Sequence, residues 1–412
     1  MARIIPALAD LTQDIAGPVP LDLLYAWATG KQDDARAEEL LAPFRVEGTV
    51  VSTDTSGLSR MTTERDLLDV LCLIAEPKQI VHSIGLEIGG RPIGLWVADN
   101  TQMFYPTAVP EAAVVDAMWE AEHRIACQLP VAIGMCVHRG TFIELGGGLY
   151  GTDAHIVETA AEYDAGPEEV LVTEPVKRAC PNGYEFKLRE DLHETVRIYS
   201  LVSAAGMKHL DVERLPFPHP YPQPFFDRLQ VFKKAEPRDP LRREIYDGYL
   251  RESVIVFLAR AHDADAGWDG AGLLEDLVAN VLLDSLVSGL DGVSGHIAAL
   301  GGGLGILTFD SAAEALDAAQ ALQRRFQANS VRVKIGLSSG PVLFFSNPRG
   351  PSGIAGMAVN VASKISEDRG VVGRINLAAD VAAQLPGLEG DPFEISLGGV
   401  FLNGLTLKAQ PV

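Results

Sequence analysis

The sequence predicts two copies of one α/β layer domain, each a mixed sheet with helices packed on its faces. Three observations carry that expectation. VAIGMCVHRG at 131–140 aligns without a gap on VRVKIGLSSG at 331–340, and each is followed by a glycine-led segment, GTDAHIVETAAEYD from Gly151 and GMAVNVASKISEDR from Gly356. A repeat this long implies a duplicated domain rather than a solenoid. Strand-like and helix-like stretches alternate in the same order in both copies. Between them lies LPFPHPYPQPFF, with proline at every second position from Pro216 to Pro224. Proline lacks the amide donor, so this stretch reads as an extended, semi-rigid spacer, with a PxxP-type docking peptide for an aromatic groove as the alternative.

Residues 1–43 read as two or three short helices broken at Gly17, Pro18 and Pro20, a segment suited to packing, regulation or a protein partner. Domain 1 is placed at 44–206. The strand TVVSTD (49–54) opens it, followed by a helix over 64–85, the hairpin-like GRPIGLWVADNTQMFYP and a helix over 110–128. The strand at 131–140, a glycine turn at Gly146–Gly148, a helix over 152–164 and a strand over 168–173 complete the copy. The linker and the helical DPLRREIYDGYLRES occupy 207–250. Domain 2, at 251–412, repeats the order: strand 253–259, helix 271–290, strands 296–300 and 304–309, helix 311–326, strand 331–337, helix 357–368 and strand 374–378. Gly301–Gly303 and Gly146–Gly148 lack the lysine and hydroxyl of a phosphate loop and read as tight turns.

Bulk properties exclude several classes. The chain has 412 residues, enough for two ordinary domains, and a hydrophobic content of 47% that rules out wholesale disorder. A formal charge of −21 argues against nucleic acid or an anionic membrane as partner, and it requires a divalent metal as intermediary for any anionic nucleotide. Cys72, Cys127, Cys136 and Cys180 lie far apart with no CxxC pair, as in a reducing compartment. No signal peptide and no bilayer-spanning run is read, so a cytoplasmic location is expected.

Asp54 ends a strand and is followed by small residues and glycine, which sets a carboxylate beside backbone amides where a metal and phosphates could sit. A turn-forming Asp explains the same segment. Asp99, in VADNTQMFYP, reads as a metal-binding carboxylate or as ordinary hairpin chemistry. Asn360 and Lys364 are four apart on a predicted helix and project from one face; a solvent-facing Asn and a surface Lys fit the pattern too. Arg139 reads as a solvent-exposed strand-end residue or a phosphate contact. His138 and Cys136 are expected on opposite faces of one strand, unable to chelate a metal together.

Order and spacing together resemble the class III nucleotidyl cyclases, the adenylate and guanylate cyclases. VSTDTSGLSRMT is similar to that family's F-x-D-I-x-G-F-T through Asp54, Gly57 and Leu58, VADNTQMFYP to its G-D-G motif through Asp99 and Phe104, and VNVASK at 359–364 to VN-x-A-(A/S)-R. The resemblance covers about 45–200 and 250–410. It implies two ferredoxin-like α+β domains packed as a pseudo-twofold dimer within one chain, and cyclisation of a nucleoside triphosphate to a 3′,5′-cyclic nucleotide and pyrophosphate. It further implies two Mg2+ or Mn2+ ions on Asp54 and Asp99, phosphates cradled by Thr55, Ser56, Gly57 and Leu58, ribose held by Asn360, and transition-state charge offset by Lys364. In domain 1 the last two positions are His155 and Thr159; in domain 2 the metal positions fall at about Ala259 and at Gly302 or Gly303. Each copy thus keeps a different half of one site. Base-reading positions near Ala298 and Gly353, Asn100 beside Asp99, and Asn403 in place of a late lysine depart from the family pattern. A catalytically silent nucleotide-sensing or protein-binding scaffold is therefore the alternative.

Overall fold

The computed structural model describes residues 19–58, 61, 64–94, 96, 100–190, 196–205, 210–262, 267–290, 295–345, 353–397 and 400–408. The chain begins with two short helices, α1 (Leu21–Thr29) and α2 (Asp34–Leu41). A first half follows: β1 (Arg45–Thr55), α3 (Leu67–Glu87), β2 (Arg91–Pro92), β3 (Thr101–Pro106), α4 (Glu111–Gln128), β4 (Ile133–Leu145), β5 (Gly148–Tyr150), α5 (Thr152–Thr159), β6 (Glu169–Thr173), α6 (Glu174–Ala179), β7 (Glu185–Arg189) and β8 (Ile198–Ser203). Two linker helices, α7 (Gln223–Lys234) and α8 (Asp239–Tyr249), lead into the second half. There the order is β9 (Leu250–Arg260), α9 (Gly270–Ser288), β10 (His296–Gly301), β11 (Leu304–Phe309), α10 (Ala312–Ala328), β12 (Val333–Phe345), β13 (Gly353–Ala355), α11 (Met357–Lys364), β14 (Ile375–Ala378), α12 (Ala379–Ala383), β15 (Gly390–Leu397) and β16 (Val400–Leu407).

Each half carries one mixed sheet, ordered β2-β3-β1-β4-β6-β8-β7 in the first and β10-β11-β9-β12-β14-β16-β15 in the second. The two orders are the same. In both, the third and fourth strands pair antiparallel over eleven rungs, and the next pairing is parallel. Alternation along β1 sends Val51 into the core beneath α3 and α4, and Val50 to the opposite face beneath α5. The second half repeats this with Val256 beneath α10 and Ile255 beneath α11.

The structure departs from the sequence expectations at several places. The helices expected over 152–164 and 357–368 stop at Thr159 and Lys364, and a wider π-type turn follows each, Ala160–Asp164 and Ile365–Arg369. Helix α7 starts inside the proline run, because Pro222 and Pro224 occupy the N-cap and second helical positions, where a missing amide leaves no intrahelical bond unmade. The spacer itself is packed. Phe217 and Phe226 enter the first core, and Trp96, stacked on Phe217, donates its backbone amide to the Pro218 carbonyl at 2.8 Å.

Helices α1 and α2 bury Leu24, Trp27 and Leu41 against Ile143 and Leu145 of the first half and Leu273, Leu274 and Leu277 of α9. They therefore bridge the two halves. Residues 1–18 lie outside the described residues. No described helix is long and apolar enough to cross a membrane.

Candidate functional site

A cleft of about 1020 Å3 is lined from both halves. The first half supplies Asp54, Thr55, Gly57 and Leu58, and the second supplies Asn360 and Lys364. Asp54 is the penultimate residue of β1, paired with Gly134 of β4, and the chain then turns at Gly57, whose φ of 79° suits a residue without a Cβ. Ser56 is the exception in this turn: its amide donates to the Ala132 carbonyl at 2.9 Å, and it does not line the cleft. Asp99 lies outside the described residues.

Asn360 and Lys364 sit one turn apart on α11, which packs closely on β12. A Cβ at Gly336 would run into the Ala362 carbonyl oxygen, so the missing side chain lets the helix down onto the sheet. Lys364 Nζ lies 4.0 Å from the Glu162 carboxylate of the first half. Around it the cleft is acidic, with Glu158, Glu162, Glu367 and Asp368 against Lys334 and Lys364. Burial pushes Glu367 upward, against the bond from Ser363 and the charge of Lys364.

Glu158 was not singled out by the sequence. It is the penultimate residue of α5, is exposed to the cleft, and accepts a 2.9 Å hydrogen bond from Gln102 Nε2. Burial pushes its carboxyl up to about 7, with the Gln102 bond opposing and the Glu162 charge assisting. Gln102 stands opposite Ser52 in the β1–β3 ladder, and both residues are almost fully buried.

The positions of His155 and Thr159, equivalent to Asn360 and Lys364, face a different neighbourhood. Trp268 is sandwiched between His155, at 4.0 Å between ring centroids, and His262, at 3.7 Å. Asp276 pairs with His262 and, at 2.9 Å, with Arg260, which also bonds Asn280. Asp269 holds the N-cap position of α9, yet its carboxylate accepts from the Thr152 amide at 3.1 Å and from the Thr152 hydroxyl. The N-terminus of α5 is thus capped by the other half.

The remaining candidates are structural. His138 and Cys136 share a face, two residues apart on β4, which corrects the expectation of opposite faces. What commits His138 is bonding to Thr173 Oγ1 at 2.9 Å and to Asp153 at 3.0 Å. Arg139 pairs with Glu111 at the surface.

Among the described residues, no group of three or more His, Cys, Asp or Glu side chains is arranged to hold a metal ion. Hard oxygen donors are nonetheless present beside β1. Asn100 lines the cleft with Asp54, and its amide oxygen is buried without a hydrogen-bond partner. A carboxylate and an orphaned amide oxygen suit Mg2+ or Mn2+ better than a softer ion.

No family model matches the chain, and no curated protein matches it. Among solved structures it is similar to the adenylyl cyclase CyaB from P. aeruginosa, at 16% identity over 39% of this chain and 95% of that one, with a TM-score of 0.34. It is similar over more of its length to a class III adenylyl cyclase-like ATP-binding protein from Pseudomonas aeruginosa, at 12% identity, 82% of this chain, 85% of that one and a TM-score of 0.48. The guanylyl cyclase Cya2 shares 12% identity over 42% of this chain and 98% of that one, with a TM-score of 0.33. Likenesses this distant carry no weight for the reaction.

Proposed function

We propose that the chain is a nucleotidyl cyclase with one composite site, formed where two cyclase-like domains, 44–206 and 251–412, meet as a pseudo-twofold pair in the cytoplasm. The supporting observation is that a single cleft is lined by Asp54, Thr55, Gly57 and Leu58 from one half and by Asn360 and Lys364 from the other. In this reading the 3′-hydroxyl of a nucleoside triphosphate attacks its own α-phosphorus and pyrophosphate leaves. Gly57 and Leu58 present backbone to the phosphates, Asn360 orients the ribose, and Lys364 offsets charge developing at the α-phosphate. Asp54, with Asp99, would hold the divalent ions, which supply charge neutralisation to the triphosphate and acidify the hydroxyl.

A silent, nucleotide-sensing scaffold is the second reading, and two observations favour it. Lys364 already has Glu162 for company, and the base-reading position at Ala298 is fully buried among apolar neighbours. Incubating the purified protein with each nucleoside triphosphate and Mn2+ tests the choice, reading pyrophosphate and cyclic product. Turnover supports the cyclase. Absence of turnover with every nucleotide, with nucleotide-dependent thermal stabilisation retained, leaves the scaffold.

A further inference from the structure

The duplication supplies an internal control for every residue near the cleft. The shared strand order and register pair Asp54 with Ala259, Ser52 with Phe257 and Gln102 with Ile306. Two residues back along the chain from Gln102, Asn100 corresponds to Leu304, and α5 laid on α11 pairs Glu158 with Ser363. In the second half Phe257, Ala259, Leu304 and Ile306 form an apolar cluster with Ala358 and Ala362 of α11. The same strand wall in the first half is made of Ser52, Asp54, Asn100 and Gln102, with Glu158 beside it where the second half has Ser363, which donates to Glu367. A dry wall therefore satisfies the fold at these positions, and burying polar groups there costs stability without aiding the architecture. Gln102 is 1% exposed, and its side-chain amide nitrogen donates to Glu158. It spends a buried amide on orienting one carboxylate of the cleft. Asp54 lies two residues from Ser52 on the same strand face, about 7 Å along the strand. Glu158 and Asp54 thus line one cleft, on the face that a bound nucleotide would meet.

We propose that Glu158 is the proton acceptor for the 3′-hydroxyl, oriented by Gln102; this rests on the cyclase reading above. As O3′ bonds to the α-phosphorus, its proton passes to a Glu158 carboxylate oxygen. The bond from that phosphorus to the α–β bridging oxygen breaks, and its electron pair leaves with pyrophosphate. Glu158 then returns the proton to solvent. The charged and titratable groups sharing the cleft with it are His155 on its own helix, Glu162 and Tyr163 beyond it, Asp54 on β1, and Arg260, His262, Asp276, Lys334, Lys364, Glu367 and Asp368 from the second half. Of these, the Glu162 charge opposes its ionisation, while the Gln102 hydrogen bond favours it. A value of about 7 suits a group that must gain and lose a proton near neutrality.

Two measurements on the full chain test the assignment. The first is calorimetric titration with the four 3′-deoxynucleoside triphosphates, which lack the hydroxyl, in the presence of Mn2+. The second is the pH profile of turnover. Glu158→Gln should bind the best analogue within about 2-fold of the wild type and lose turnover by about 100-fold or more. The wild-type rate should rise with pH through about 7 and level off, and this rise should be absent from the residual activity of Glu158→Gln. Glu158→Asp should restore part of the rate, and Gln102→Leu, which mimics the dry twin, should displace the rise in pH without abolishing turnover. Wild-type turnover in Glu158→Gln, or an unchanged rise with pH, overturns the role while leaving the cyclase reading intact. Wild-type protein that binds no analogue and turns over no nucleotide overturns both.

Discussion

Trp268 of the second half lies flat against His155 of the first, ring centroids 4.0 Å apart and planes 19° from parallel. His262 covers the other face, and the neighbouring Asp269 caps α5. Trp268 and Asp269 thereby fasten the two halves together. Each stacked pair is worth about 0.5–1.5 kcal/mol beyond burial. Trp268→Ala should therefore cost about 2–3 kcal/mol, read as a lower urea midpoint, while turnover per folded molecule stays near wild type. An unchanged midpoint would show that the stack does not fasten anything.

Removal of groups at the other end of the cleft should have the opposite signature. Asp54→Ala should abolish turnover and also the thermal stabilisation that Mn2+ with nucleotide provides. Asn360→Ala and Lys364→Ala should each raise the barrier by about 3 kcal/mol, the usual cost of losing one charge-stabilising group. Lys364→Arg should retain or increase the rate, since the planar fork can meet phosphate and keep Glu162 as neighbour. Full activity in Asp54→Ala contradicts the metal assignment.

Gly336 tests the placement of α11 without touching a polar group. A methyl there meets the Ala362 carbonyl and the backbone of the π-type turn at Ser366. Gly336→Ala should cost about 1–3 kcal/mol by overpacking. It should also slow turnover more than it weakens the fold, because lifting the helix displaces Asn360 and Lys364 together. Kinetics at a temperature where both proteins are folded would reveal this; a rate loss no larger than the loss of folded protein counts against it.

Asp153 ties α5 to β4 by accepting from His138 and from the Thr141 amide at 2.7 Å. Burial acts to raise its pKa, but these two bonds outweigh it and hold the carboxyl below its ordinary value. A depressed carboxyl contributes stability that is fully present above the unfolded value near about pH 4 and is lost as pH falls through the folded value. Asp153→Asn should therefore be less stable than wild type at pH 6, with the gap closing on acidification below about pH 4. A gap independent of pH in acid-titrated denaturation would show that the charge is not what holds the helix.

The duplicated fold was legible because gapless similarity between 131–140 and 331–340 marks the same central strand twice, and alternating periodicities frame it. The placement of Asp54 at a strand end, and of Asn360 and Lys364 on one helix lining the same cleft, was legible because short motifs keep their spacing. Glu158 and Gln102 were not. Their meaning appears only when the copies are compared rung by rung, and the offset between copies is 205 residues at β1 (Asp54 to Ala259) but 204 at β3 (Gln102 to Ile306). Only the ladder register brings those positions into correspondence. Trp268 and Asp269 were hidden for a related reason: both act on the opposite half, which no local pattern announces. Helix α7 was missed because the proline run overshadowed the Phe225, Leu229 and Phe232 periodicity behind it.

Phe225 of α7 sits 4.4 Å from Phe345 at the end of β12, with Tyr249 flanking both. The same cluster takes in Leu68 and Leu71 of α3. The connector is therefore a shared keystone, and neither sheet can melt without stripping apolar surface from the other. Calorimetry should register one cooperative heat-absorption peak for the whole chain, where two separately tethered domains would give two.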